Sequence, residues 1–133
     1  MPVKFEPDRL AGVNVISRQE PGRLWVNGEL RESSVIVPWR GPARDWAASH
    51  FEQLGALHFE RLLALEPEVV IVGSGRRIRF VPPALLRPLI ERGIGAETMD
   101  TAAACRTFNV LASEGRSVVA ALLVEAEPAE GGR

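Results

Sequence analysis

The side chains best suited to chemistry follow an apolar run near the middle of the chain. The run Val69–Val72 leads directly into a glycine turn and a group of arginines. The residues concerned are Gly73, Ser74, Gly75, Arg76, Arg77 and Arg79. Turn N–H groups and guanidinium groups both bind phosphates and carboxylates. The pattern therefore predicts an anion-binding loop or an arginine patch that faces a partner.

A purely structural interpretation of the same residues stays open. The glycines then form a tight turn between closely packed backbones, with positive φ in at least one of Gly73 and Gly75. Alternation would place Arg77 and Arg79 on one face of an extended segment. That segment would be a solvated edge strand protected by charge, from which the arginines could be removed without loss of the fold.

Nucleotide binding is not supported by the glycine spacing. A dinucleotide fingerprint needs a third glycine where this chain has Ile78. A P-loop needs a lysine after its last glycine, and the one lysine of the chain is Lys4.

A second polar group lies at a predicted strand-to-helix junction and along the helix that follows. Asp100 and Thr101 form the junction, and Arg106 and Asn109 share a polar stripe of the helix with Ser113. Asp100 is expected to cap the helix. If the stripe meets the glycine loop, the two together could hold a carboxylate or a phosphate; otherwise the stripe is a solvent-facing surface.

No catalytic or metal-binding constellation is evident. Cys105 lies on an apolar stripe and is expected to be a core residue. His50 and His58 are remote from it in sequence and do not have the spacing of zinc ligands. We predict no catalytic residue, no metal and no cofactor.

Turn signals and hydrophobic periodicity predict alternating strands and helices. Strands are expected at Val13–Ile16, Leu24–Val26, Ser34–Val37, Val69–Val72, Ala96–Met99 and Val118–Val124. Three helices are expected: one at His58–Leu65, one that begins at Pro83, and one from Asp100-Thr101 to about Ser113. The second has a predicted apolar face formed by Leu85, Leu86, Leu89 and Ile90. Residues 40–45 are predicted to be a loop, and Asn27-Gly28 a hairpin turn. This order implies a mixed sheet with helices packed on it.

Length and composition limit the architecture and the partners. The 133 residues suffice for one domain, predicted at residues 10–124, with an N-terminal extension at 1–9 and a disordered tail at 125–133. A net charge of −1 argues against nucleic acid as the main partner. A single cysteine, no secretory or transit signal and no long apolar run predict a cytoplasmic protein that meets a membrane only through a partner.

Two separated motifs carry a family resemblance. VVIVGSGRRIRF at 69–80 with Pro82-Pro83, followed by MDT at 99–101 and CRTFNVL at 105–111, resembles the domain of unknown function 498 family, which includes the mitochondrial respiratory complex I assembly factor 3. The resemblance covers about residues 10–124. It implies a three-layer α/β fold, with a central mixed five-stranded sheet and helices and extra β structure packed on its faces. It also implies that no enzymatic activity is established.

Two functional hypotheses follow. The favoured one is a non-catalytic interaction or assembly module whose partner is another protein. The alternative is a small-molecule or anion-binding protein, with or without enzymatic activity, that uses the Gly73–Arg77 loop with Arg106 and Asn109. A pocket where these groups converge would favour the alternative, whereas a surface patch would favour the module.

Overall fold

The computed structural model describes residues 11–126, and the predicted N-terminal extension and residues 127–133 of the predicted tail lie outside this range. Eight strands and three α-helices are present among the described residues. The strands are β1 Ile16–Glu20, β2 Arg23–Val26, β3 Glu29–Arg31, β4 Val35–Val37, β5 Arg44–Asp45, β6 Val69–Gly73, β7 Gly95–Met99 and β8 Val118–Leu122. The helices are α1 Ala56–Glu60, α2 Pro83–Ile90 and α3 Thr101–Ser113, with 3₁₀ turns at Phe51–Gln53 and Arg61–Leu65.

A mixed five-stranded sheet organises the fold, in the order β5-β4-β8-β6-β7. Strand β6 is central and pairs in parallel with both β7 and β8. The register places Gly73 beside Met99 on one side and beside Leu122 on the other. All five residues of β6 and all five of β8 are buried, which explains their uninterrupted apolar sequences.

Each face of this sheet carries its own hydrophobic core, so the fold has three layers. On one face, Ile71 and Leu122 pack with Phe108 of α3 and with residues of the small sheet. On the other face, Val70 and Val72 pack with side chains of α1, α2 and the adjoining 3₁₀ turn, among them Phe59, Leu62 and Leu89. The predicted three-layer α/β fold is confirmed.

The extra β structure is a three-stranded antiparallel sheet in the order β1-β2-β3. Its second turn is Asn27-Gly28, with φ of 52° and 86°, the left-handed geometry predicted for a two-residue hairpin. Ile16 and Leu24 bury this small sheet in the same core as α3. It therefore stands next to α3 and covers part of one face of the main sheet.

Several predicted strand boundaries shift by one or two residues, and four further differences concern the type or the environment of residues. Val13 forms only an isolated bridge to Arg40, and the first strand begins at Ile16. Two residues of the predicted 40–45 loop form β5, because strand pairing uses backbone groups that any side chain permits. The predicted helix at 58–65 begins two residues earlier and tightens into a 3₁₀ turn. Ile90 is 55% exposed, since α2 buries only Leu86 and Leu89.

Cys105 lies in the α3 core with 3% of its surface exposed, as predicted. Burial raises the pKa of its thiol to about 12, so the nucleophilic thiolate is scarce at neutral pH. The cysteine therefore acts as a small apolar side chain in this fold.

We expect Cys105→Ala to cost about 1 kcal/mol of unfolding free energy through lost packing. The native thiol should react with a disulfide reagent such as DTNB only as fast as the protein opens, because burial and the raised pKa both suppress attack. Denaturant titration and thiol-labelling kinetics measure these effects. Rapid labelling of the folded protein would contradict the assignment.

Candidate functional site

The glycine loop lies where the two central parallel strands end. Strand β6 ends at Gly73, and the chain then runs without helix or strand to Pro82 before α2 begins. Strand β8 ends next to it at Leu122, and α3 begins at Thr101. The carboxyl ends of β6 and β8 and the start of α3 therefore meet at one edge of the sheet.

Ser74 holds the loop together from the inside. It is fully buried, and its backbone N–H donates to the carbonyl of Met99 at 2.8 Å. Its Oγ donates to the carbonyl of Arg77 at 2.8 Å and accepts the N–H of Arg79 at 3.0 Å. The hydroxyl predicted as a ligand group is thus already engaged within the loop.

Thr101 and Asp100 use their polar groups in a similar way. The buried Thr101 Oγ1 accepts the N–H of Gly75 at 2.9 Å and donates to the carbonyl of Leu123 at 2.7 Å. Asp100 is the predicted helix cap and accepts the N–H of Ala103 at 2.8 Å. Both residues fix the junction: the Thr101 hydroxyl is already engaged as donor and acceptor, and one oxygen of the Asp100 carboxylate is used as the helix cap.

Both glycines occupy positions that exclude a side chain. A Cβ on Gly73 would lie 2.9 Å from Leu122 Cδ2 and 3.0 Å from the backbone Cα of Thr101. Gly75 has a φ of +104°, and its Cβ would lie 2.6 Å from Cδ of Glu125. The predicted tight turn between close backbones is confirmed.

Gly73→Ala should lower the free energy of unfolding by about 2 kcal/mol, because the new methyl group meets backbone that cannot yield cheaply. Gly95→Ala is the matched control: it lies in the adjacent strand β7, and its nearest neighbour would be Val69 Cγ2 at 3.7 Å. Urea titration of the two variants measures the difference. Equal stabilities would refute the close-approach argument.

The three arginines of the loop differ in their surroundings. Arg76 and Arg77 are exposed, as predicted. The side chain of Arg79 is only 24% exposed and pairs with Glu52 at 3.1 Å and with Glu125 at 3.3 Å. Its guanidinium also lies 5.4 Å from the centre of the Phe51 ring.

The predicted edge strand through these arginines is wrong. Residues 75–77 form a bend and residues 78–82 are irregular rather than a strand, because the buried Ser74 hydroxyl binds the Arg77 carbonyl and the Arg79 amide. Arg79 consequently turns inward while Arg77 turns outward. The expectation that all three arginines can be removed without effect on the fold assumed that all three are exposed, and Arg79 does not meet that condition.

Glu125 is a site residue that the sequence analysis missed. Its side chain is 12% exposed, and its Oε1 accepts the N–H of Arg76 at 3.3 Å while Arg79 Nη2 reaches both carboxylate oxygens. The predicted disordered tail began at this residue, so the packed structure extends further than the predicted boundary. No local pattern marks Glu125, because its partners are 46 and 49 residues away.

Arg79→Ala should destabilise the protein by about 1–3 kcal/mol, because it removes the cation beside the largely buried Glu125 carboxylate. Arg77→Ala, the matched control two residues earlier, should change stability by less than about 0.5 kcal/mol. Thermal and denaturant unfolding of both variants test this. If Arg79→Ala proves as neutral as Arg77→Ala, the ion pair contributes nothing to the fold.

Arg106 and Asn109 do not converge with the glycine loop. The amide of Asn109 binds the backbone of Ile16 twice, accepting its N–H and donating to its carbonyl, each at 2.9 Å. It thereby attaches β1 to α3. Arg106 is exposed and lies with Arg18 and Asn109 beside a separate depression of about 260 Å³. A combined pocket, which would have favoured the alternative hypothesis, is not formed, because the loop residues and Arg106 line different depressions.

A cleft of about 310 Å³ does open beside the loop. Gly75, Arg76 and Glu125 form one wall together with Thr101 and Ala102. The turn between β1 and β2 forms the opposite wall, where Arg23 pairs with Glu20 at 3.0 Å. Charges of both signs therefore line this cleft.

The outer surface of the loop is apolar as well as basic. Phe80 is 73% exposed and Ile78 is 47% exposed, on either side of the inward-facing Arg79. The alternating pattern drew attention to the arginines, but it did not show that both apolar side chains also face solvent.

The histidines and carboxylates do not assemble into a metal site within residues 11–126. His58 Nδ1 accepts the N–H of Gly55 at 3.0 Å, and its Nε2 donates to the carbonyl of Ala47 at 2.8 Å. Both ring nitrogens thus hold α1 in place.

Comparison with known proteins identifies the family. Residues 16–123 match the model of a family described as proteins of unknown function, DUF498/DUF598. The chain belongs to this family. The resemblance inferred from the two sequence motifs is confirmed.

Two relatives illustrate the range of the family. The NADH dehydrogenase (ubiquinone) 1 alpha subcomplex assembly factor 3 of Bos taurus is 31% identical over 122 residues, covering 84% of this chain and 66% of that protein. An uncharacterised protein of Rhodobacter capsulatus is 35% identical over 119 residues, covering 85% and 86% of the two chains. A crystal structure of a Bordetella parapertussis protein superimposes with a TM-score of 0.83 at 35% identity, covering 88% of this chain and all of that one.

The assembly-factor relatives are longer than the segment shared with this chain. The chain spans 66% of the bovine protein and 43% to 46% of the other vertebrate ones that it matches. Within residues 11–126, no helix has the length and apolar character that crossing a bilayer requires.

Proposed function

We propose that this protein is a non-catalytic interaction module that assists the assembly of a larger protein complex. The observation that carries the proposal is the exposure of Phe80, at 73%, on a loop anchored from beneath. Relatives of the same family are named as assembly factors of the NADH dehydrogenase 1 alpha subcomplex, which supports an assembly role of this kind.

The composition of the exposed loop suits a protein interface. We define the docking loop as residues 76–80, whose exposed side chains are Arg76, Arg77, Ile78 and Phe80. Aromatic residues and arginine are enriched where protein interfaces bind most strongly. Burial of the Phe80 ring in a partner would supply affinity, and Arg77 would favour an acidic rim around the ring's pocket.

The hydrogen bonds beneath the docking loop support the same role. Ser74 fixes the Arg77 carbonyl and the Arg79 amide, which lie on either side of Ile78. A loop held in this way loses little conformational entropy on binding. The partner would therefore bind a loop that is already held in one conformation.

A second candidate function is the binding of a small anionic molecule in the cleft beside Gly75. The 310 Å³ volume and the position at the strand ends favour it. Arg106 and Asn109 have no part in it, because they lie beside the other depression.

We also propose the cytoplasm as the site of action. The one cysteine of the sequence is buried, so the fold uses no disulfide within the chain and suits a reducing compartment. A membrane would be approached only through the partner.

Phe80→Ala and Arg77→Ala together should leave the melting curve within a few degrees of wild type and reduce capture of native partners at least about tenfold. The measurement is quantitative pull-down from the native host, with membranes solubilised, scored for proteins captured by wild type. Loss from Arg77→Ala alone should be larger at low salt than at high salt.

Val110→Ala is the matched control, since Val110 is a 54% exposed apolar residue on α3. It should capture partners like wild type. Full capture by the double variant would rule out the docking loop, and equal loss in Val110→Ala would show that the effect is unspecific.

A further inference from the structure

The cleft beside Gly75 lies at a switch in the topology of the sheet. Strand β6 is followed by α2, which packs on one face, whereas β8 is preceded by α3, which packs on the other. The two strands are parallel neighbours. In open α/β sheets, ligands bind in the crevice beyond the carboxyl ends of two such strands.

A carboxylate of the chain itself occupies this crevice. The Glu125 side chain is 12% exposed and lies against Gly75, where the missing side chain gives it room. Its oxygens accept hydrogen bonds from the Arg76 backbone N–H at 3.3 Å and from Arg79 Nη2 at 3.3 and 3.4 Å. A backbone N–H and a guanidinium are the donors that receive carboxylates in binding sites.

Glu125 satisfies these donors incompletely. Charge-assisted N–H to oxygen bonds in proteins are usually about 2.7–2.9 Å long, shorter than all three contacts of Glu125. Arg79 Nε is buried and lacks a hydrogen-bond partner, alone among the buried side-chain polar atoms of residues 11–126. The chain holds Glu125 only two residues after the buried Leu123, whose N–H is fixed to Gly73, so its carboxylate has little freedom to approach.

We propose that the crevice is a binding site for a small organic acid, and that Glu125 occupies it from within until the ligand carboxylate takes its place. Arg79 does not line the cleft while Glu125 is in place, so a ligand carboxylate would reach it only in the position that Glu125 vacates. There an untethered carboxylate can engage Nε–H and Nη2–H of Arg79 together, the bidentate geometry that guanidinium favours, while it keeps the Arg76 N–H. A volume of about 310 Å³ is at the small end of ligand pockets and suits an acid of a few carbon atoms. The inference rests on the second candidate function, and it does not use the exposed Ile78 and Phe80 of the docking loop, which do not line the cleft.

Removal of Glu125 is the direct test, with glutarate as the probe. Glu125→Ala empties the site, and Glu125→Gln keeps the size of the side chain but removes its charge. Glu68→Ala is a matched control at the opposite edge of the sheet, because Glu68 also pairs with one backbone N–H, of Ser117 at 3.0 Å, and one arginine, Arg116 at 2.9 Å. The readout is the pair of NMR signals from the Arg76 amide and Arg79 Nε–H, followed at constant ionic strength with chloride replaced by glutarate.

In Glu125→Ala, glutarate should shift both signals saturably, with a Kd at least about tenfold below that of wild type, because a tethered competitor acts at high effective concentration. Glu68→Ala should match wild type. If Glu125→Ala fails to fold, Glu125→Gln should still bind more tightly than wild type. Arg79→Met in the Glu125→Gln background should abolish the shift of the Arg76 amide.

Two probes distinguish the sources of the carboxylate. Glutarate represents a free acid, and a capped Ala-Glu-Ala peptide presents the same carboxylate on a polypeptide. Tighter binding of glutarate supports the small-molecule site, whereas tighter binding of the peptide overturns it in favour of a peptide site. The proposal is overturned altogether if neither Glu125 variant shows saturable shifts. It is also overturned if added chloride shifts the two signals as much as added glutarate does.

Discussion

The hydroxyl of Thr101 is the contact on which this end of the molecule depends. It accepts the Gly75 N–H and donates to the Leu123 carbonyl, while the Thr101 N–H reaches the Gly75 carbonyl. One buried side chain thus joins the ends of β6 and β8 to the start of α3. Because the group is buried, no water can substitute for a lost partner, and the three elements must keep their positions together.

This junction also limits the chemistry of the glycine loop. A phosphate cradle needs unused backbone N–H groups, but those of Ser74 and Gly75 already bind Met99 and Thr101. The Arg76 N–H is the next along the chain, and it already donates to the Glu125 carboxylate. The loop therefore leaves two surfaces for the roles proposed here: an outer surface with Phe80 and an inner crevice with Glu125.

The backbone of the loop is fixed separately from the side chains exposed on it. The hydrogen bonds of Ser74 and Thr101 fix the path of the backbone, whatever side chains project from it. In the docking proposal, exposed residues such as Phe80 would then determine which partner binds. The crevice is framed by backbone and by one buried ion pair, so it depends on the fold rather than on the exposed surface.

The sequence alone determined the elements whose signals are local. The apolar β6, the Asp100 cap, the Asn27-Gly28 turn and the buried stripe of α3 each depend on residues within one or two turns of chain. Nearly the whole order of strands and helices followed from such signals, and the family resemblance added the five-stranded sheet. Of the candidate site, the sequence located the loop and the tight glycines.

Tertiary structure alone decided what Asn109, Arg77 and Arg79 do. The amide of Asn109 binds the backbone of β1, 93 residues away in the sequence. Arg79 turns inward to Glu125, 46 residues away, whereas Arg77, also an arginine, stays exposed. Identical side chains two positions apart differ because one finds a carboxylate in reach and the other does not. Such partners come together only when the sheet forms, so no periodic pattern in the sequence can predict them.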